Sequence, residues 1–178
     1  MKIYNTKFKD LLLLKHEAFD DERGVFKELF RINELNDCLS YSVSFCQENV
    51  VESSINVLRG LHYQKFPYQQ SKLITVVSGA ILDIAVDIRE ESKTYGKYYS
   101  RILKSENNES LFVPSGFAHG YLTLTKKALI CYNVDNYYNS NYEGGIFFND
   151  PKLNIKWGQK AKKMIISKKD LQLNNFKW

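Results

Sequence analysis

The clearest alternation of apolar and polar residues in the chain lies in Leu82-Asp83-Ile84-Ala85-Val86-Asp87-Ile88. Side chains of a β-strand point alternately to opposite sides, so the four large apolar residues share one side and the two aspartates share the other. We therefore predict a strand here, with one face in a core and the other lining a polar space.

Shorter stretches rich in Val, Ile, Tyr and Phe lie on both sides of this strand, with turns such as Ser78-Gly79 between them. Many short strands at regular spacing predict an all-β sandwich or barrel. A short helix or turn is predicted at residues 31–39, and short helices are predicted in the less regular part from Lys152 onward. The other strands are predicted at residues 25–30, 43–49, 72–77, 98–103, 110–113, 120–124 and 128–134.

The composition indicates one folded domain. The chain has 178 residues, of which 44% are hydrophobic and 14% aromatic, enough for a substantial core. It contains only 3 prolines and no low-complexity linker, so we predict a single domain over residues 1–178. No apolar run is long enough to cross a bilayer, and the first ten residues do not resemble a signal peptide. We therefore expect a cytoplasmic protein without a membrane partner.

The charges and cysteines argue against two other classes of protein. The formal net charge is +5, but the basic residues are spread out, without the aromatic-lined basic face of a nucleic-acid-binding module. Cys38, Cys46 and Cys131 lack paired spacing and predict buried, reduced thiols rather than a disulfide framework or zinc site. We expect no nucleic-acid partner. One lysine cluster is predicted to be solvated C-terminal surface: Lys160, Lys162, Lys163, Lys168 and Lys169.

The segment Arg59-Gly60-Leu61-His62-Tyr63-Gln64 carries residue types suited to acid–base chemistry. A histidine such as His62 can act as a general base if a carboxylate fixes its tautomer. Lys72, on the next predicted strand, could stabilise an enolate oxygen. Because strands adjacent in sequence usually pair, we predict that these groups share a concave face with Asp83 and Asp87. In the simpler alternative His62 is structural, Lys72 is a surface lysine, and either aspartate only positions Lys72 or an arginine.

A metal site is the competing interpretation. Metal sites usually show closely spaced His, Cys or carboxylate ligands, whereas the residue two after His62 is Gln64 and His119 is distant in sequence. We therefore predict a site without metal. His119 is either a hydrogen-bonded loop histidine or a ligand contact, and Tyr132 is either a core tyrosine or a catalytic acid.

Two arginines are candidate ligands for phosphate. Arg23 and Arg59 each precede a glycine, where a backbone can approach a bound molecule closely. A guanidinium binds phosphate through two parallel hydrogen bonds. Together with the mild basicity, these arginines fit a small phosphorylated substrate.

Several longer motifs in the same order resemble the dTDP-4-dehydrorhamnose 3,5-epimerase family and its sugar-nucleotide epimerase relatives over nearly the whole chain. The motifs are DERGVFKE at 21–28, QEN at 47–49, VLRGLHYQ at 57–64, AVDIR at 85–89, VPSGFAHG at 113–120 and DP at 150–151. The resemblance implies a cupin jelly roll without metal or cofactor. It also implies a homodimer in which an N-terminal strand crosses to the partner.

The resemblance assigns roles to individual residues. It implies that His62 removes a proton beside a 4-keto group, supported by Asp170 in the segment 167–170. Lys72 matches the lysine that stabilises the enolate, and Tyr132 matches the acid on the opposite face of the sugar. Arg23 would reach the partner's site. The positions that match the family's substrate-binding surface are Arg23, Phe26, Glu28, Gln47, Asn49, Arg59, His119, Tyr138, Glu143 and Lys169.

The chain departs from the family's usual residues at Val50-Val51, Ser71, Tyr121 and Asn133. These departures leave open the nucleotide (dTDP, GDP or CDP), the sugar (hexose or heptose) and whether C3, C5 or both are inverted. We predict epimerisation of a nucleotide-linked 4-keto sugar, of the dTDP-4-keto-6-deoxyhexose or GDP-4-keto-heptose type, for polysaccharide biosynthesis. The alternatives are a 4-keto-sugar 3,4-ketoisomerase on the same scaffold and a non-catalytic cupin that binds sugar nucleotides.

Overall fold

The computed structural model describes residues 1–158 and 163–177, and strands dominate this part of the chain. Its one α-helix, α1, spans Ile32–Asn36, within the predicted 31–39. A 3-10 turn at Asp170–Gln172 stands near the C-terminus, where short helices are predicted. In chain order the strands are β1 (Lys2–Asn5), β2 (Leu12–Lys15), β3 (Ala18–Asp21), β4 (Gly24–Lys27), β5 (Gln47–Ser54), β6 (Val57–Gln64), β7 (Lys72–Ser78), β8 (Ala80–Asp87), β9 (Tyr98–Lys104), β10 (Glu109–Val113), β11 (Phe117–Thr123), β12 (Lys127–Val134), β13 (Glu143–Gly145) and β14 (Ile165–Ile166).

The strands form two facing sheets, the jelly-roll arrangement of a cupin, which confirms the predicted fold class. The first sheet has the order β1-β2-β10-β7-β12-β5, and the second has the order β13-β6-β11-β8-β9. Neighbouring strands in both orders are antiparallel, and β14 adds to β6 in parallel. The hairpin β3–β4 belongs to neither sheet.

The prediction that β6, β7 and β8 pair as sequence neighbours is wrong. β6 lies beside β11, and β7 lies between β10 and β12 in the opposite sheet. β8 lies between β11 and β9. The chain crosses from one sheet to the other between these strands, so residues of β6 and β7 face each other across the interior. His62 and Lys72 therefore share a concave face, but it forms from two sheets instead of one, and the predicted Asp83 and Asp87 do not line it.

Both faces of the second sheet are buried. Ile81 and Ala85 of β8 pack with first-sheet residues such as Ile74 in the core between the sheets. On the opposite face, Ile84 packs in a second cluster that includes Trp157 from the C-terminal region. The aspartates of β8 therefore point into the interior, and both Asp83 and Asp87 are fully buried. The two faces of β8 alternate as predicted, but the face that carries the aspartates also contributes Ile81 and Ala85 to a core.

Some predicted strand boundaries are shifted. The predicted strand at 43–49 begins only at Gln47, because Val43 exchanges two hydrogen bonds with the side chain of Asn36 instead of joining the sheet. The strand predicted at 120–124 already begins at Phe117. The strand predicted at 25–30 ends at Lys27.

The prediction of buried cysteines is wrong, although the structure shows all three as free thiols. Cys38 and Cys46 are exposed, and Cys131 is partly buried. Cys131 lies between Ile130 and Tyr132 on β12, whose side chains face the interior, so its own side chain faces outward.

The C-terminal lysines agree with the predicted solvated surface where they are described. Lys163, Lys168 and Lys169 are exposed, whereas Lys160 and Lys162 lie outside the described residues. Among the helices of the described chain, none has the length and apolar character needed to span a membrane.

Candidate active site

A β-bulge in β6 brings Arg59 and His62 to the same face. Opposite β6, His119 pairs with His62 and Tyr121 pairs with Arg59, so two steps on β11 match three on β6. The extra residue reverses the side-chain alternation, which would otherwise place Arg59 and His62 on opposite faces. Gly60 makes the bulge possible, because its φ is +116° and a Cβ there would lie 2.6 Å from the Cα of Gly120.

The structure places Asp170 against His62, as the resemblance implies. His62 Nε2 lies 2.8 Å from Asp170 Oδ1, and the Gly60 N–H donates to Asp170 Oδ2 at 3.3 Å. Burial alone would raise the pKa of the Asp170 carboxyl, but the hydrogen bond and charge of His62, with the Gly60 N–H, bring it below its usual value. An ionised carboxylate only accepts, so Nε2 carries the proton and Nδ1 keeps its lone pair.

Lys72 faces this pair from the opposite sheet. Its Nζ donates to the backbone carbonyl of His62 at 3.4 Å. Burial lowers the pKa of Lys72 to about 8, while the charges of Asp83 and Glu143 oppose that shift. The site therefore holds an ammonium group that is charged at neutral pH and poorly hydrated, which favours contact with a developing oxyanion.

Tyr132 and Arg59 lie together on another wall. Burial raises the pKa of the Tyr132 hydroxyl, and the nearby charge of Arg59 partly offsets this. Arg59 Nε donates to Ser53 Oγ at 3.2 Å, and Ser53 Oγ lies 3.1 Å from the hydroxyl of Tyr121. This support of Arg59 by Ser53 and Tyr121 was not predicted. Its only signal in the sequence was a tyrosine at a position where the family usually has phenylalanine.

A second histidine–carboxylate pair lies beside the first. His119 Nε2 is 2.8 Å from Asp83 Oδ2, and both side chains are buried. His119 belongs to β11, so it is not the loop histidine considered above. Asp83 binds His119 rather than a lysine or arginine, whereas Asp87 does bind Arg89.

These groups line one cavity between the sheets. Its volume is about 530 Å³, and its apolar end includes Val51 and Ile130. A smaller lobe of about 330 Å³ adjoins it and shares His62, Lys72 and Tyr132. The predicted residues that line the larger lobe are Arg59, His62, Lys72, His119, Tyr132, Lys169 and Asp170, and those that line the smaller one also include Gln47, Asn49, Tyr138 and Glu143.

Hydrogen bonds connect the polar residues of the smaller lobe. Gln47 Nε2 donates to Asn49 Oδ1 at 2.9 Å. The hydroxyl of Tyr138 donates to Glu143 at 2.6 Å, and Lys169 forms an ion pair with the same carboxylate. Burial would raise the pKa of Glu143, but these bonds from Lys169 and Tyr138 lower it overall. The lobe thus offers amide and charged groups for a polar ligand.

Three predicted residues lie away from both lobes of this chain. Arg23 is on the hairpin β3–β4 and pairs with Asp21 at 2.5 Å. Phe26, on the same hairpin, is 68% exposed, and Glu28 pairs with Arg31 at 2.8 Å. Within one chain these side chains do not contribute to the site.

The described residues also contain no group of three or more His, Cys, Asp or Glu side chains that could hold a metal ion. Both histidines of the cavity are bonded to carboxylates at 2.8 Å.

The chain resembles known proteins over almost its full length. The family model described as dTDP-4-dehydrorhamnose 3,5-epimerase matches residues 5–177. The Escherichia coli protein of that name is 42% identical over 97% of this chain and 93% of its own length.

Solved structures agree with these sequence matches. The dTDP-4-dehydrorhamnose 3,5-epimerase from Elizabethkingia anophelis superposes with a TM-score of 0.94 at 40% identity, covering 99% of this chain and 96% of that one. A dTDP-6-deoxy-D-glucose-3,5-epimerase from Legionella pneumophila, in complex with dTDP-4-keto-L-rhamnose, gives a TM-score of 0.91 at 36% identity, covering 98% and 92%. With its motifs, fold and near-complete coverage, this chain belongs to the dTDP-4-dehydrorhamnose 3,5-epimerase family of isomerases.

Proposed function

We propose that this protein epimerises a dTDP-linked 4-keto-6-deoxy sugar at C3 and C5 without a cofactor. The observation that carries the proposal is the hydrogen-bonded pair His62–Asp170, which faces Lys72 and Tyr132 across one cavity. A 4-keto group makes the C–H bonds at C3 and C5 acidic, so the chemistry requires a base, a site for the enolate oxygen and an acid.

In this proposal His62 is the base. Asp170 fixes the proton on Nε2, which leaves the lone pair of Nδ1 to take a hydrogen from the carbon beside the ketone. The imidazolium that results stays next to an ionised carboxylate, which favours the charged form. The imidazole of His62 becomes neutral again when it releases the proton.

Lys72 and Tyr132 complete the reaction. The Lys72 ammonium stabilises the negative charge that develops on the 4-keto oxygen. The Tyr132 hydroxyl has a raised pKa, so it holds its proton at neutral pH and can deliver it to the opposite face of the sugar. Delivery of a proton to the face opposite the one from which His62 removes it inverts the carbon. His62 then releases its proton to solvent, and the Tyr132 phenolate takes one up.

The choice of dTDP over GDP or CDP rests on the relatives, whose names specify dTDP sugars. The smaller lobe has the polar side chains that a nucleotide would use, and Arg59 offers guanidinium N–H groups to a diphosphate.

The test is incorporation of solvent deuterium. The protein is incubated in D₂O with dTDP-4-keto-6-deoxy-D-glucose, and NMR follows C3, C5 and the product. We expect deuterium at both carbons and an inverted sugar. Label at one carbon would restrict the enzyme to a single centre, a 3-keto product would indicate a ketoisomerase, and binding without exchange would indicate a non-catalytic cupin. GDP- and CDP-linked 4-keto sugars serve as controls for the nucleotide.

We further propose a homodimer whose N-terminal hairpin serves the partner's site. On the hairpin β3–β4, Phe19, Val25 and Phe26 are each more than half exposed. A two-stranded hairpin is only marginally stable alone, and clustered exposed apolar side chains indicate a contact surface. A partner would cover the hairpin and bring Arg23 to the phosphates.

The three free thiols support a reducing location, the cytoplasm.

Complementation tests this arrangement. Arg23→Ala and His62→Ala are each expected to be impaired, but a mixed dimer contains one site with both native residues. Co-expression at equal levels should restore about a quarter of wild-type activity, because half of the dimers are mixed and each has one intact site. A chain that stays monomeric at assay concentration, or a mixture no more active than the two variants alone, would contradict the shared site.

A further inference from the structure

The C-terminal strap, residues 163–177, holds the carboxylate of the proposed base. Its strand β14 pairs in parallel with Val57 and Leu58 at the start of β6. The strap then contributes Ser167, Lys169 and Asp170 to the cavity wall. Because Asp170 lies 108 residues away from His62 in sequence, its position depends on how the strap is held on both sides of it.

Beyond Asp170 the strap lies against the segment that follows β13. The Phe147 N–H donates to the carbonyl of Asn174 at 2.8 Å. Leu173 packs on Gly145, where a Cβ would lie only 2.7 Å from its methyl carbons. Gly145 is itself the register partner of His62. The second half of the strap is therefore docked on the strand next to the base.

Asp150 ties the end of the strap to this segment. Its Oδ1 accepts the N–H groups of Lys152 and Leu153, each at 2.8 Å, and its Oδ2 accepts the Phe176 N–H at 2.8 Å. The side chain is buried, with 3% exposure. One oxygen thus fixes a local turn, and the other fixes the strap. Asp150 belongs to the Asp150-Pro151 motif, to which the proposed reaction gives no role.

We propose that Asp150 is a positioning residue for the base, because it anchors the strap that presses Asp170 against His62. Chain ends fray unless they are tied down, and small displacements of a catalytic group cost large factors in rate. The kinetic part of this inference rests on the proposed epimerase function.

The variant Asp150→Asn distinguishes the roles of the two carboxylate oxygens. The amide oxygen can still accept from Lys152 and Leu153, but the NH₂ group then faces the Phe176 N–H, donor against donor. At saturating dTDP-4-keto-6-deoxy-D-glucose we expect the rate of deuterium exchange to fall by about tenfold or more, because Asp170 is no longer held in place. The dissociation constant of dTDP should change by less than about twofold, since the strap's bonds beyond Asp170 do not contact the smaller lobe.

Glu109→Gln is the matched control. Glu109 is also a buried carboxylate, which pairs with Arg101 at 2.7 Å, but it has no bond to the strap. This variant should lower the melting temperature and leave the exchange rate unchanged below that temperature. An equal loss of exchange in both variants would mean that general destabilisation, and not the strap, explains the effect.

A truncation after Asn174 tests the same tie without altering Asp150. It removes the Phe176 N–H, together with the contacts that Tyr95 makes to Phe176 and Lys177, and retains Asp170 and the bond between Phe147 and Asn174. We expect at least the loss of exchange seen for Asp150→Asn, and no further loss when Asp150→Asn is added to the truncated protein. Normal exchange in the truncated protein would overturn the inference.

Two further measurements show whether Asp150 acts through Asp170. In an Asp170→Asn background, Asp150→Asn should have no additional effect, and an equal loss in both backgrounds would contradict the proposal. The second needs no substrate. In ¹⁵N-labelled protein, the Nε2 proton of His62 should exchange with water faster in Asp150→Asn than in wild type. This NMR measurement remains decisive if no 4-keto sugar reacts, a result that would refute only the proposed function.

Discussion

The two histidine–carboxylate pairs of the cavity have the same bond length and different surroundings. His62–Asp170 and His119–Asp83 both measure 2.8 Å, and the two histidines are register partners on adjacent strands. The side chain of His62 is 30% exposed, whereas that of His119 is 9% exposed. Asp83 comes from β8, which pairs with β11, while Asp170 comes from the distant strap. Access to the cavity, rather than the chemistry of the pair, therefore distinguishes the proposed base, His62, from the wall residue His119.

The largest expected effect on activity comes from breaking the more exposed pair, His62–Asp170. His62→Ala should reduce deuterium exchange by about a thousandfold or more, because no other group replaces the base. Its melting temperature should fall less than that of His119→Ala, because the buried Asp170 carboxylate loses one partner but still accepts from the Gly60 N–H. Circular dichroism gives the melting temperature and NMR gives the rate of deuterium exchange, both on the same preparation. If the His62→Ala variant still exchanged deuterium at the wild-type rate, His62 would have no part in the mechanism.

Breaking the more buried pair, His119–Asp83, should mainly lower the free energy of unfolding. His119→Ala leaves the fully buried Asp83 carboxylate without its partner, and such a loss costs about 3 kcal/mol of unfolding free energy. Urea unfolding measures this value. If His119→Ala were instead as stable as wild type and as inactive as His62→Ala, the contrast between the pairs would be wrong.

The third histidine, His16, has no carboxylate partner and sharpens the comparison. It is buried, with Nε2 at 2.8 Å from Ser110 Oγ, and burial, with the charge of Lys27, lowers its pKa to about 4. The unfolded chain binds the proton more readily, at a pKa near 6.5. Stability should therefore be complete above pH 6.5 and decline as the pH falls toward 4, by about 2 kcal/mol between pH 7 and 5.

Unfolding in urea at the two pH values tests the role of His16. His16→Gln cannot titrate, so its stability should change less over the same range. An identical decline in wild type and His16→Gln would assign the acid sensitivity to other groups.

The smallest expected effect concerns the influence of each carboxylate on Lys72. The pKa of Lys72, about 8, predicts that kcat/KM falls above pH 8 as the ammonium loses its proton. The charge of Asp83 raises that pKa, so Asp83→Asn should move the alkaline limit to lower pH. Asp170→Asn, although less active, should leave the limit in place. A limit that moves equally in both variants would show that Lys72 does not distinguish the two pairs.

The sequence predicted the fold class because each strand carries its own signal. The alternation in β8 and the Val- and Ile-rich stretches at β7 and β12 are local patterns, and the structure confirms them. Sheet membership was not predictable in the same way. Whether β7 joins β6 or crosses to the other sheet depends on long-range pairing, and the neighbour rule gave the wrong answer.

The candidate site was predictable only in part for the same reason. His62 and Lys72 stand out locally, but nothing in their neighbourhood points to Asp170, which only the family resemblance supplied. The bulge at Gly60 and the pairing of His119 with Asp83 depend on the contact between two strands. The buried-cysteine prediction failed because the burial preference of a residue type does not tell which face of a strand it occupies.

The most direct test of the central claim is a double-mutant cycle between His62 and Asp170, measured as deuterium exchange. If Asp170 acts by holding the tautomer of His62, Asp170→Asn should reduce exchange by about a hundredfold or more in the wild-type background. In the His62→Ala background the same change should have almost no effect. Equal reductions in both backgrounds would contradict the account, because Asp170 would then act without His62.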